Sequence, residues 1–185
     1  MTLYILYSRQ FDYDSNIYIL KVGDRALLID AGSGYNSERL RSTLDALGIA
    51  RVEQILLTHN DHDHSGGVQF FPEAIVKVHQ LDRDNRFSKA KVEILQDGDE
   101  IKFGEYILKV VHTPGHSPGS VCFYEKNRKW LFSGDTPMEF LPSVVDRHIE
   151  RHIALEQLRQ SVNKLSKLDI SIVYPGHGKP LYPKS

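Results

Sequence analysis

Cysteine, net charge and long hydrophobic runs are all scarce in this sequence, and each scarcity excludes a class of protein. Cys122 is the single cysteine, so the chain cannot form an internal disulfide and suits a reducing compartment. The formal net charge of −1 gives no electrostatic reason to expect nucleic acid or an anionic membrane surface as a partner. The first residues, MTLYILYSRQ, contain neither a basic start nor a long apolar segment. We therefore expect no signal peptide, no membrane anchor and a cytoplasmic location.

The chain length and the pattern of aliphatic segments predict a single α/β domain over residues 1–185. Strand-like segments alternate with two helical ones, which favours two sheets covered on the outside by helices. The predicted strands outside the 93–113 region are 17–22, 26–31, 52–58, 74–79, 119–126, 129–135 and 170–178.

Three segments carry more specific structural predictions. Leucines at helical spacing predict a helix over 37–48, with Ser37 as its N-cap and Gly48 ending it. A second, longer helix is predicted over about 146–168 from apolar residues that recur every three to five positions. Residues 93–113 have the pattern of a β-meander, with Asp-Gly at 97–98 as its first turn.

Four clusters of histidine or aspartate follow predicted strands, and each lies beside glycine or proline. They are the stretch 59–64 (HNDHDH), HTPGHSPGS at 112–120, SGDT at 133–136 and PGHG at 175–178. Strand ends with turn-forming residues are places where a rigid scaffold brings side chains to one point. Because imidazoles and carboxylates are the common protein ligands of zinc, iron and manganese, the four clusters predict a metal site.

The segments LIDAG, THNDHDHSGG, TPGHSPGS, FSGDT and YPGHG, in this order, resemble the metallo-β-lactamase superfamily. The hallmark of that family is T-H-x-H-x-D-H-x-G-G, followed by a later His, Asp and His, and the resemblance extends from Asp30 to His177. It implies an αββα sandwich of two mixed β-sheets flanked by helices, with a two-metal site on one edge of the sheets.

The resemblance also implies seven metal ligands divided between two divalent ions. One ion would be bound by His59, Asp61 and His116, and the other by Asp63, His64 and His177, with Asp135 bridging them. Zinc is the first expectation for both ions, and iron or manganese is the alternative. Asp63 would also be catalytic, because it would orient a hydroxide that bridges the two ions.

Asp61 occupies the position where the family motif has its second histidine, and His62 falls on a spacer position. Residues 59 and 61 point to one side of an extended segment while residue 62 points away, which favours Asp61 as the ligand. The alternative, that His62 replaces the missing histidine one residue late, stays open here. A third carboxylate would make the site harder and would favour iron or manganese; flavodiiron proteins, another branch of the superfamily, place a glutamate at the equivalent position.

The resemblance implies a binuclear metal-dependent hydrolase, similar to the glyoxalase II-like members, in which a metal-bridging hydroxide attacks an ester, thioester or lactone carbonyl. The expected partner is a small-molecule substrate, with neither nucleic acid nor membrane, and a homodimer is a possible assembly. The alternative function is a non-haem iron oxidoreductase, either flavodiiron-like or persulfide dioxygenase-like.

Several other polar residues are interpreted as structural. Asp30 is expected beside the metal site without binding the metal. His79 and His112 are read as residues that end their strands, and His148 and His152 as part of a solvated helix face. Cys122 is expected to pack inside a strand. From position alone, Tyr35, Met138, Glu139 and Phe140 are placed at the mouth of the site.

Overall fold

The computed structural model describes residues 2–8, 14–87, 90–145 and 150–183. Short 3₁₀ turns cover Gly66–Phe70, Gln80–Asp82, Asn85–Phe87 and Pro142–Val144. The strands and helices, in chain order, are β1 (Thr2–Leu6), β2 (Ile17–Val22), β3 (Arg25–Ile29), α1 (Ser37–Ala46), β4 (Arg51–Leu56), α2 (His62–Ser65), β5 (Ile75–His79), β6 (Lys91–Leu95), β7 (Glu100–Phe103), β8 (Tyr106–His112), β9 (Val121–Glu125), β10 (Trp130–Gly134), α3 (Arg151–Leu165) and β11 (Ile172–Pro175).

The strands form two mixed sheets. The first has the order β1-β2-β3-β4-β5-β6, in which β1, β2 and β3 are antiparallel neighbours and β3 to β6 run parallel. The second has the order β11-β10-β9-β8-β7, with β10 and β11 parallel and the other pairs antiparallel. Of the helices in the described ranges, none has the length and hydropathy needed to cross a membrane.

The main core lies between the two sheets, where the inward faces of their central strands meet. Three aromatic rings from β2, β10 and β11 pack together there: Tyr18 lies edge-on to Phe132 and Tyr174, with centroids 5.2 and 5.4 Å away. Helix α1 covers the outer face of the first sheet through Leu40 and Leu44. The outer face of the second sheet is covered by α3. The predicted αββα sandwich is therefore confirmed.

The prediction of a meander over 93–113 is wrong. Strand β6 pairs in parallel with β5 in the first sheet, whereas β7 and β8 belong to the second. The Asp-Gly turn at 97–98 therefore carries the chain from one sheet to the other, and the hairpin turn lies at Gly104 and Glu105. A parallel strand pair has no short-range signature, so β6 looked like the first strand of a hairpin.

Two helix boundaries also differ from the prediction. Helix α1 is preceded by Asn36, not Ser37, at its N-cap, and it ends at Ala46. The second long helix begins after Glu150, whose extended backbone (φ −57°, ψ 126°) makes it the N-cap, and it ends at Leu165. The predicted start at 146 falls on residues 146–149, which lie outside the described residues.

Candidate metal centre

The seven residues predicted as metal ligands meet where strands of both sheets reach their carboxyl ends. We call them the ligand cluster: His59, Asp61, Asp63, His64, His116, Asp135 and His177. The first four follow β4, with Asp63 and His64 inside the short helix α2. The others follow β8, β10 and β11. Since each is on or beside a tight turn after a strand, the loops fix their positions.

The ligand atoms fall into two groups. Atoms of His59, His116 and Asp135 lie within 4.8 Å of one another, and so do atoms of Asp63, His64 and His177. Asp135 reaches both groups, because its Oδ2 is 3.5 Å from His116 Nε2 while its Oδ1 is 3.2 Å from His64 Nε2. The Asp135 carboxylate therefore lies between the two groups.

Asp61 contacts the first group. Its Oδ2 lies 3.3 Å from His116 Nε2 and 3.6 Å from His59 Nε2. Both Asp61 and His62 are exposed, but the His62 ring lies edge-on to Tyr35, with a centroid separation of 6.1 Å. Helix α2 begins at His62, and its first turn directs that side chain outward. The Asp61 carboxylate therefore lies against the first group, whereas the His62 ring lies against Tyr35.

Hydrogen bonds fix the orientation of three of the four imidazoles. His64 Nδ1 donates to Asp30 Oδ2 at 2.8 Å, and His116 Nδ1 donates to the Val144 carbonyl at 2.8 Å. Thr58 Oγ1 donates to Asp30 Oδ2 at 2.9 Å, so it accepts from His59 Nδ1 at 3.0 Å. With Nδ1 protonated in each ring, Nε2 is left as the atom that offers a lone pair.

Those Nε2 atoms provide the test of whether a metal fits. Within the described ranges, Nε2 of His59, His64 and His116 and Oδ1 of Asp135 are buried and have no hydrogen-bond partner. Leaving a buried polar atom unpaired costs about 1–3 kcal/mol, so four such atoms within one cluster need partners. Imidazole and carboxylate donors suit zinc, iron or manganese, so the residues fit a pair of divalent ions.

The electrostatics of the ligand cluster favour cations. The neighbouring imidazoles of His116 and His59 hold the pKa of Asp61 well below its usual range. Burial alone would raise the pKa of Asp135, but the neighbouring imidazoles of His177 and His64 reverse this and keep it ionised. The neighbouring carboxylates of Asp135 and Asp63 raise the pKa of His177 to about 9. Protons thus occupy positions that metal ions would take, and metal binding must displace them.

Asp30 lies beside the cluster, as expected for a supporting residue. It is buried, and its Oδ1 accepts from the Thr58 amide at 2.8 Å while its Oδ2 accepts from His64. Its backbone has φ +58°, a left-handed conformation that few residues other than glycine adopt. Strain of this kind persists only where surrounding contacts enforce it.

Sequence reasoning missed two buried residues that support the ligand loops. Asp82 accepts from Ser117 Oγ at 2.6 Å, from the Gly119 amide at 2.8 Å and from the Asn60 amide at 3.3 Å, so it joins the loops that contain His59 and His116. Asn16 Nδ2 donates to the carbonyls of Pro175 and Gly178, on either side of His177. Neither residue belongs to a local motif.

The remaining histidines of the described ranges lie outside the cluster. His79 and His112 end β5 and β8, as predicted, and their rings stack at 4.2 Å between centroids. His152 is exposed on α3 and its Nδ1 is 3.3 Å from a carboxylate oxygen of Glu150, consistent with a solvated face. His148 lies outside the described residues. Cys122 is fully buried in β9, as expected of a packing residue.

The sequence model of the metallo-beta-lactamase superfamily matches residues 11–177. Among curated relatives, an atrochrysone carboxyl ACP thioesterase from Aspergillus fumigatus is 34% identical over 174 residues, covering 89% of this chain and 50% of that protein. A hydroxyacylglutathione hydrolase from Francisella philomiragia is 38% identical over 132 residues, covering 69% of this chain and 50% of that protein. The chain thus spans about half the length of these curated relatives.

Solved structures with the same fold include TTHA1623 in a di-iron-bound form. It has a TM-score of 0.74 and 29% identity, and the match covers 96% of this chain and 94% of that one. The BLEG-1 B3 metallo-beta-lactamase has a TM-score of 0.73 and 26% identity, covering 98% and 94%.

Proposed function

Because this chain belongs to the metallo-beta-lactamase superfamily, we propose that it is a hydrolase that uses divalent metal ions bound by the ligand cluster. The proposed substrates are carboxylic esters, thioesters or lactones. The observation that carries the proposal is the set of buried, unpartnered Nε2 atoms of His59, His64 and His116 within the ligand cluster. Relatives with the names ACP thioesterase and hydroxyacylglutathione hydrolase support ester-type chemistry.

In the proposed assignment, His59, Asp61 and His116 bind one ion, Asp63, His64 and His177 bind the other, and Asp135 binds both. When bound, the ions would supply a water nucleophile at neutral pH and polarise the carbonyl of the substrate. The oxygen of water forms a bond to the acyl carbon, the bond to the leaving oxygen or sulfur breaks, and a proton passes to that leaving atom.

Asp63 is the residue proposed to orient the attacking water. Its Oδ2 is 3.2 Å from His177 Nε2 and 3.5 Å from His64 Nε2. Burial acts to raise the pKa of Asp63, but the hydrogen bond from His177 leaves it below its usual value, so the group is an ionised acceptor at neutral pH. Its half-buried carboxylate can accept a hydrogen bond from water and hold that water toward the substrate.

Metal loading and substitution test the proposal together. Chelated protein is reloaded with zinc, iron or manganese and assayed on ester, thioester and lactone panels. We expect hydrolysis only after loading, and Asp63→Ala to lower kcat by about a hundred-fold or more. His62→Ala is the matched control, since that side chain lies in the same stretch but outside the cluster. Full activity after exhaustive chelation would refute the proposal, and loss of metal in His62→Ala would refute the assignment of Asp61.

Asp61 supports a second candidate function, that of a non-haem iron oxidoreductase. A third carboxylate in the cluster favours iron, and TTHA1623 was solved with two irons bound. Iron content accompanied by oxygen consumption would favour this function, and hydrolysis without oxygen consumption would exclude it.

A further inference from the structure

An apolar groove begins at the ligand cluster. Asp135 and His177 are among the residues that line an open groove of about 310 Å³, together with apolar side chains that include Met138, Leu141 and Leu181. The same three apolar residues also line an adjoining groove of about 790 Å³. Both volumes are in the range of small-molecule sites. We call the two together the acyl groove.

Two of the apolar residues in the groove are unusually exposed for their type. Leu141 is 49% exposed and Leu181 is 53% exposed, although both stand next to a cluster of ionisable groups. A contiguous apolar surface beside a polar site is typical of a ligand-binding surface. Met138 is half-buried and packs against the outer core of the second sheet, so it gives the groove a fixed wall.

The charge of the groove distinguishes between the two ends of a substrate. No lysine or arginine is among the described residues that line it, and Glu139 lines the larger of its two parts. A carboxylate there repels an anionic leaving group, such as one that contains phosphate. A neutral hydrocarbon chain meets no such repulsion and gains free energy by burying apolar surface.

We propose that the acyl groove binds the hydrocarbon chain on the acyl side of the scissile bond, so that the preferred substrates are acyl esters or thioesters with several carbons in the acyl chain. This proposal rests on the proposed hydrolase function and names its substrate class. Leu141 and Leu181 determine the preference by contacting the chain, while the leaving group lies outside the groove.

A chain-length series tests the proposal. The metal-loaded protein is assayed on acetyl, butyryl, hexanoyl and octanoyl thioesters of one small thiol, and on acetyl thioesters of thiols with matching alkyl lengths. We expect kcat/KM to rise about two- to four-fold for each methylene added on the acyl side, and to stay flat when the same carbons are added on the thiol side. A flat acyl series, or a rise confined to the thiol series, would overturn the proposal.

Substitutions in the acyl groove test whether the preference for longer acyl chains arises there. In the double variant Leu141→Ser with Leu181→Ser, the octanoyl-to-acetyl ratio of kcat/KM should fall at least about ten-fold. Leu141→Phe should narrow the groove and move the optimum to shorter chains. Ile107→Ser is the matched control: Ile107 is 37% exposed on β8, outside the groove, so the ratio should not change. An unchanged ratio in both groove variants would overturn the assignment.

The experiment separates the two proposals. If no substrate of any length is hydrolysed by the metal-loaded protein, the hydrolase function itself fails. If substrates of all chain lengths are hydrolysed equally, the proposed hydrolase function stands and the proposal that the acyl groove binds the acyl chain is refuted.

Discussion

At the scale of single residues, the carboxylate of Asp61 most affects the chemistry proposed for the cluster. It approaches His116 Nε2 to 3.3 Å and His59 Nε2 to 3.6 Å, at the position where the family motif has a histidine. With Asp63 and Asp135 it gives the cluster three negative charges. An extra anion reduces the Lewis acidity of bound ions and favours harder metals.

Asp61→His should therefore shift metal selection toward zinc. The variant removes one negative charge but retains a ligand at the same place, so two ions should still bind. Protein stripped and then offered equimolar zinc and iron should retain a higher zinc-to-iron ratio than the natural sequence, as measured by elemental analysis. Asp61→Ala is the comparison, and it should lose one of the two ions. Identical metal content in all three proteins would contradict the ligand role of Asp61.

Asp82→Ala should weaken the binding of one ion and leave the affinity for the other ion unchanged. Asp82 joins the loops of His59 and His116, and loss of such supporting contacts typically lowers metal affinity by about 10- to 100-fold. The absorption spectrum of the cobalt-substituted protein, titrated stepwise, reports each binding step. Glu125→Ala is the control: Glu125 is also fully buried and accepts from a backbone amide, of Arg128, so it should lower stability without changing the cobalt steps. Equal changes in the cobalt-binding steps of both variants would mean that Asp82 contributes only to stability.

That the residues of the ligand cluster lie together could be predicted from the sequence, because each belongs to a motif of the family that the sequence resembles. His59, Asp61, Asp63 and His64 fall within six positions, and the other three follow strands beside glycine. The supporting residues could not be predicted, since their roles exist only in three dimensions. Asp82 bonds to Ser117 35 positions away, and Asn16 bonds to Pro175 across 159 positions. No short sequence motif predicts contacts between residues so far apart in the chain.

At the scale of elements, helix α3 supports the loop that contains His116. Gly115 lies directly against the helix, because a Cβ built on it would be 2.7 Å from Leu158 Cα. Ser161 Oγ donates to the Pro114 carbonyl at 2.8 Å, and Lys164 Nζ donates to the His112 carbonyl at 3.1 Å. The helix thus determines how far the loop stands from the second sheet.

Gly115→Ala should destabilise the protein and disturb His116. The position has φ +136°, which alanine tolerates poorly, and the added carbon would also collide with the helix backbone. Gly98→Ala is the matched control, since Gly98 has φ +89° but no heavy atom within 4 Å of a built Cβ. Urea unfolding should give a loss of about 1 kcal/mol for the control and a clearly larger loss for Gly115→Ala. Equal losses would show that α3 moves aside freely.

The strands were largely predictable from their aliphatic pattern, but their partners were not. The segments 17–22, 26–31 and 74–79 are strands in the structure within two residues of the predicted bounds. The meander prediction placed β6 beside β7, because the Asp-Gly turn at 97–98 has the composition of a hairpin turn. In the structure this turn connects the two sheets, which depends on the pairing of β6 with β5. Local residues thus predict the presence of a turn, whereas tertiary contacts determine which strand the following segment pairs with.

At the scale of the whole molecule, the proposed site depends on how the two sheets stack. His59, Asp61, Asp63 and His64 follow a strand of the first sheet, while His116, Asp135 and His177 follow strands of the second. The packing of Tyr18 against Phe132 and Tyr174 holds the sheets together near this edge. In addition, the Tyr18 hydroxyl donates to the Pro175 carbonyl at 2.5 Å, two residues before His177.

The position of His177 in the last strand-end loop has a consequence for biosynthesis. Under the proposed assignment, one ion lacks a ligand until this residue has emerged from the ribosome and β11 has joined β10. Incorporation of both ions would thus wait for residue 177, and a nascent chain that stalls before it would hold an incomplete centre.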